Sequence, residues 1–88
     1  MKANAKNTRK ISNLYHDYLQ IDSEKELKKR KLTLVEYNDI AFFANELQRN
    51  GFFLTFSKAI AEYFKRFNFT VIPPHDFEIN YKIELKED

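Results

Sequence analysis

Three stretches of the chain repeat apolar residues at helical spacing, and one repeats them at strand spacing. Ile11, Leu14, Tyr15, Tyr18 and Leu19 recur at i, i+3, i+4, i+7 and i+8, the single stripe of an amphipathic helix. Ser12, Asn13, His16, Asp17 and Gln20 fill its other side, Thr8 is the expected N-cap, and the helix is expected to end near Ile21. Residues 1–7 carry no pattern and are expected to be a flexible N-terminal tail, leaving 8–88 as one small domain.

Asp22 to Lys31 is almost wholly charged, with Leu27 as its one apolar anchor; Ser23 followed by Glu26 is a capping-box pattern that permits a short exposed helix. The next helix is marked at both ends. Thr33 and Glu36 form a second capping box, and Leu32 and Tyr37 are spaced as a hydrophobic staple. Tyr37, Ile40, Phe43, Ala44 and Leu47 form its stripe, and Asn50-Gly51 supplies a left-handed end, with Phe52 placed to touch Leu47 in a Schellman closure. Phe52-Phe53-Leu54 reads as a short apolar connector. Thr55 or Ser57 then caps a further helix to about Asn68, with Phe56, Ile60, Tyr63, Phe64 and Phe67 inward and Lys58, Glu62, Lys65 and Arg66 outward.

After Asn68 the period changes from 3.6 to 2. Phe77, Ile79, Tyr81, Ile83 and Leu85 alternate with Glu78, Asn80, Lys82, Glu84 and Lys86, the pattern of a strand with one wet face. Phe69 to Ile72 is prone to extended structure, and Pro73-Pro74-His75-Asp76 is turn chemistry. The expected fold class is α+β: three helices, or four if the charged segment folds, packed with a C-terminal two-stranded β-hairpin in winged-helix-like element order.

Composition removes several classes of function. The 88 residues contain no Cys, which excludes disulfides and thiolate chemistry, and one Gly, Gly51, which excludes a glycine-rich phosphate loop. The longest apolar run, Ile40 to Ala44, is far below the ~20 residues that span a bilayer, so no membrane association is expected, and the basic start is followed by no apolar stretch. Cytoplasmic localisation is the expectation. The net charge is +2, unevenly spread: residues 1–31 hold nine bases and four acids, and residues 32–88 hold six bases and nine acids. Such polarity steers association more than it names a partner.

Candidate chemistry is sparse. His16-Asp17 and His75-Asp76 are the two dipeptides able to ligate a metal or orient a base, but one lies on a polar helix face and the other in a turn, so no metal site is expected. No carboxylate pair or serine has catalytic surroundings, and neither catalysis nor a cofactor is expected. The element order motivates a nucleic-acid reading, with Lys58, Lys65 and Arg66 on the last helix as phosphate contacts and Lys28, Lys29, Arg30 and Lys31 (with Lys2, Lys6, Arg9 and Lys10) as a basic patch. Against it, the last helix lacks Asn or Gln on its outer face.

Aromatic residues motivate the favoured reading. Ten of the fourteen Phe and Tyr lie between Tyr37 and Phe69, more than two helical stripes can bury. Phe42, Phe52 and Phe53 are therefore expected as partner-binding anchors, and the C-terminal strand as an edge at which a second copy could add to form a homodimer. The expected function is a small non-enzymatic binding protein docking on a macromolecular partner, preferably a protein, as a regulator or inhibitor. Lys, Asn, Ile, Phe and Tyr supply 40 of the 88 residues, a bias that AT-rich coding produces, as in many phages. The alternative is a winged-helix-like nucleic-acid-binding protein.

Overall fold

In a computed structural model of the chain, which describes residues 5–85 and the side chains from Asn7 onward, the first amphipathic segment forms α1 (Ala5–Tyr18). The helix starts ahead of Thr8, so residues 5–7 of the expected tail are helical and Asn7 is buried. Residues 1–4 and the side chain of Lys6 lie outside the described residues, as do residues 86–88. Ile11 and Leu14 are buried, with Tyr15 and Tyr18 packed at their margin. The helix stops at Tyr18 because tight turns follow: Gln20 N–H donates to Asp17 O (2.9 Å) and Ile21 N–H to Tyr18 O (3.2 Å). These bring Ile21 into the core and leave Leu19 exposed.

The charged segment folds as α2 (Glu24–Lys29). The Ser23 hydroxyl accepts from Glu26 N–H at 3.3 Å, while the Glu26 side chain turns to Arg30 and Lys29. Its far end closes as a Schellman motif: Leu32 N–H donates to Leu27 O and Lys31 N–H to Lys28 O, both at 3.0 Å, with Lys31 left-handed at φ 58°. Thr33 then caps α3 (Leu34–Asn50) through a complete capping box, Glu36 N–H to Thr33 Oγ1 at 3.2 Å and Thr33 N–H to Glu36 Oε1 at 2.9 Å. Leu32 is buried, and Tyr37 stacks on Tyr18 at 4.7 Å, joining α3 to α1.

At Gly51, φ 84°, the backbone N–H donates to Leu47 O at 2.9 Å. This is the simpler left-handed closure, in place of the expected Schellman contact of Phe52 with Leu47. Phe52 is drawn instead into β1 (Phe52–Thr55). Next come α4 (Lys58–Lys65), β2 (Thr70–Ile72) and β3 (Tyr81–Glu84). The Ser57 hydroxyl caps α4 by accepting from Ile60 N–H at 3.1 Å, so Phe56 precedes the helix and is exposed instead of heading its stripe.

The fold is α+β: the described residues form four helices and a three-stranded antiparallel sheet in the order β1-β3-β2. The expected hairpin is present as the β2–β3 pair, and the apolar connector adds a third strand on the other flank of β3. Two expectations change. A strand, not a turn, joins α3 to α4, which removes the helix-turn-helix step from the winged-helix order. And β3 is the central strand, with both sides paired, so it offers no edge to a second copy. The strand is also shorter than its alternation suggests. Pro73 and Pro74 cannot donate to a ladder, so β2 stops at Ile72, and Phe77 and Ile79 lie in the loop, exposed.

Because β1 and β2 both run antiparallel to β3, α4 crosses the sheet between two strands of the same direction, and it touches all three. Ile60, Ala61, Tyr63 and Phe64 are buried beneath it against Phe53, Ile83 and Leu85. An aromatic run knits the layers: Phe43 stacks on Phe53 (4.5 Å), Phe53 meets Phe64 edge-on (4.8 Å), and Phe64 reaches Phe69 (5.9 Å). Among the described residues no helix is long and apolar enough to cross a membrane.

Candidate functional site

The register of the sheet sorts its side chains into two faces. Phe53, Thr55, Ile83 and Leu85 face α4 and α3 and are buried. The outer face carries two cross-strand rows: Phe52, Glu84 and Thr70 in one, and Leu54, Lys82 and Ile72 in the next. Phe52, Leu54 and Ile72 remain 42%, 50% and 44% exposed. The loop after β2 curls beside this face, so that Leu54, Ile72, Pro73, Phe77, Ile79 and Lys82 surround a shallow concavity of about 410 Å³. Phe77 is fully exposed and Ile79 71% exposed. Lys82 pairs with Glu84 at 3.2 Å and lies 5.1 Å from the centre of the Phe52 ring.

Of the three expected anchors, Phe52 belongs to this face. Phe42 is exposed on α3, set edge-on against Phe43 at 5.5 Å, and is not among the residues around the concavity. Phe53 is a correction. It is 4% exposed, clamped between Phe43 and Phe64, and a group already consumed by the core cannot anchor a partner.

The expected basic residues divide in the same way. Lys31, Lys58 and Arg66 come together with Arg30, Ala59 and Glu62 around a groove of about 440 Å³ between the end of α2 and α4. Lys58, Glu62 and Arg66 recur at four-residue spacing along one side of α4, so the outer two cations are separated by about 12 Å of helix axis. Lys65 is exposed on α4 but does not line the groove, and Lys28 and Lys29 are turned to Glu24 (3.8 Å) and Glu26 (3.2 Å).

Arg30 is a second correction. Its side chain is 14% exposed and committed to a clasp. Nε and Nη2 donate to the two carboxylate oxygens of Asp17 at 3.1 and 2.9 Å, and Nη1 donates to the carbonyl oxygen (3.1 Å) and the carboxylate of Glu26. The Tyr63 hydroxyl donates to Asp17 Oδ2 at 2.9 Å, which ties α1, α2 and α4 at one carboxylate. The Arg30 hydrogen bonds, with help from Tyr63, hold the Asp17 carboxyl below its ordinary range. Arg30 is held charged beyond its usual value by Asp17 and Glu26, and burial above all pushes the Tyr63 phenol up. Fork geometry and shielding commit this guanidinium to joining the helices.

A further cleft, about 810 Å³, lies between α2 and the start of α3, lined by Ile21, Leu27, Leu32 and Tyr37. Its hydroxyls, Ser23 and Thr33, are engaged as helix caps. A third polar junction lies at α4, where Glu36 Oε2 accepts from the Ser57 hydroxyl at 2.9 Å, so one carboxylate joins the caps of α3 and α4. His16 is exposed on α1, and His75 pairs with Asp76 (3.0 Å) in the loop. Among the described residues no three His, Cys, Asp or Glu side chains gather where an ion could bind.

Leu54, Ile72, Phe77 and Ile79 were not candidates on sequence grounds. A period of 2 over Phe52-Phe53-Leu54-Thr55 separates Phe52 and Leu54 from Phe53 and Thr55 but does not say which pair faces the core; β1 places Phe53 and Thr55 inside. No family model matches the chain, and no curated protein or solved structure shows significant similarity to it.

Proposed function

We propose that this chain is a non-enzymatic binding protein that docks on another protein through the outer face of its sheet. The observation that supports this reading is the convergence of Leu54, Ile72, Phe77 and Ile79 on one concavity, with Phe52 beside it across Lys82. Taking ~200 Å² for a fully exposed large side chain, these five residues leave about 600 Å² of apolar surface in water, the upper end of the largest patch on a typical monomer, which is often functional. An unfilled aromatic such as Phe77 is the type of residue that anchors a contact. The basic N-terminal half then acts on association rate. A protein working by occupying a surface in this way is a regulator or inhibitor, and cytoplasmic action belongs to the same proposal.

The test is affinity capture with tagged wild-type chain and with a Leu54→Ser/Phe77→Ser double variant of equal stability. A protein retained by the first and lost by the second is expected. A species retained equally by both, or none by either when untagged chain is also present, overturns the reading.

A second reading is favoured by the groove of Lys31, Lys58 and Arg66, three cations that no ion pair engages among the described residues. It is contact with a nucleic-acid backbone. Mixed-sequence DNA and RNA should then shift in a gel with a log–log salt slope of about −3, one phosphate per cation, and the Lys31→Ala/Lys58→Ala/Arg66→Ala variant should not bind. Binding indifferent to the triple variant removes this reading.

A further inference from the structure

We infer that the occupant of the outer sheet face is a second copy of this chain, stacked face to face about a two-fold axis that lies in the interface and runs across the strands. The inference rests on the docking reading above and names its partner. The register of the sheet carries it. Along β3 the two outward side chains are Lys82 and Glu84, one of each sign, flanked by Phe52 and Thr70 in the Glu84 row and by Leu54 and Ile72 in the Lys82 row. Rotation about an axis across the strands keeps β1 over β1 and β2 over β2 but exchanges the rows. Each Lys82 then meets the Glu84 of the other copy, Phe52 covers Leu54, and Thr70 covers Ile72. Rotation about an axis along the strands would instead set Lys82 on Lys82 and Glu84 on Glu84. Charge therefore selects one of the two face-to-face arrangements; apolar cover does not separate them, since each sets one apolar pair together and one apolar side chain on Thr70.

The remaining features agree. Lys82 and Glu84 are already paired at 3.2 Å, so the two copies would bring together two net-neutral pairs whose four charges alternate, and no unpaired charge is desolvated. Isologous contact requires a self-complementary patch, which a foreign partner would have to match with a lysine and a glutamate of its own. Twisted sheets that pack face to face stay within about 30° of alignment, so row-on-row opposition persists across three strands. A standard interface takes about 800 Å² from each partner, somewhat over half of it apolar, so the stack must cover Phe77 and Ile79 of the loop as well as Phe52, Leu54 and Ile72 to reach that size.

Light scattering of the full chain over a range of concentrations tests this. The expected result is a mass rising toward twice the monomer's. Lys82→Glu alone and Glu84→Lys alone each set like charges against each other in the symmetric pair and should weaken self-association at least tenfold. An equimolar mixture of these two variants, and the double exchange Lys82→Glu/Glu84→Lys, should restore it, which also establishes that the variants fold. A chain monomeric at every concentration, or a dimer indifferent to these exchanges, overturns the inference. Photoreactive p-benzoylphenylalanine at position 77, expressed in cells, separates this failure from failure of docking itself. Cross-linking of the chain to itself is expected. Cross-linking only to a different protein overturns the second copy and leaves the docking face standing, and no cross-link overturns both.

Discussion

Phe52 and Phe53 are the same residue at adjacent positions, yet one is 42% exposed beside Lys82 and the other 4% exposed between Phe43 and Phe64. Arg30 and Lys31 repeat the contrast among cations. The first is folded onto Asp17 and Glu26, and the second, left-handed at the end of α2, opens to the groove. In both pairs the chemical class is shared, two aromatic rings or two cations, and position differs by one. The strand period of two divides the phenylalanines, and the Schellman turn divides the cations. What a side chain is free to do follows from which side of its element it occupies.

The largest effect expected of this contrast is in the core. Phe53→Ala should cost about 3–5 kcal/mol, read as a shift of the urea midpoint, because it opens a cavity among packed rings. Phe52→Ala should cost less than ~1 kcal/mol, the loss of partial burial and of its contact with Lys82. Similar costs at the two positions would remove the distinction between the faces. Arg30→Ala comes next, at about 1–3 kcal/mol, since it leaves Asp17 shielded without its principal donors, whereas Lys31→Ala should stay within ~0.5 kcal/mol.

The clasp also has a pH signature. The Asp17 carboxyl is held below its ordinary value in the folded chain, so its contribution is complete above about pH 4 and is lost as pH falls through the lowered value. Urea midpoints between pH 5 and pH 2 should decline in the wild type, and Asp17→Asn should flatten the part of the decline that this group supplies. An unchanged acid limb would contradict the assignment. One further expected effect has the opposite sign. Lys31→Gly should stabilise by about 1 kcal/mol, because Gly enters the left-handed region without the clash of a Cβ. Where the groove binds phosphate, the same variant should weaken that binding.

Local signals were legible wherever the chemistry is local. The Thr33–Glu36 capping box, the left-handed Gly51 and the Ser57 cap are each set by a few consecutive residues, and each is observed. The α3 stripe, flanked by such signals at both ends, packs into the core as its spacing predicts. Thr8 and Phe56 show the limit, for one lies within a helix and the other outside its cap. The charged segment was least legible, because its anchors are Asp17 and Tyr63, 13 and 46 residues from their partners Arg30 and Asp17. The candidate face was half legible. Phe52 could be named from the surplus of aromatics, but Phe77 and Ile79, which alternate as if in a strand, are exposed because the prolines end β2 before it can pair with them.

From its own residues the chain determined its class: helices with stripes and caps, an extended C-terminal segment, an α+β domain, and a basic first third. These follow from periodicity and from hydrogen bonds within a turn of the backbone. Tertiary structure alone decided that Phe52–Thr55 is a strand and that β3 lies at the centre of the sheet. It likewise decided that Arg30 is structural and that the outer apolar residues share one face. Each of those depends on contacts between segments 13 to 46 residues apart, where the alternative partners differ by long-range packing and not by any local preference.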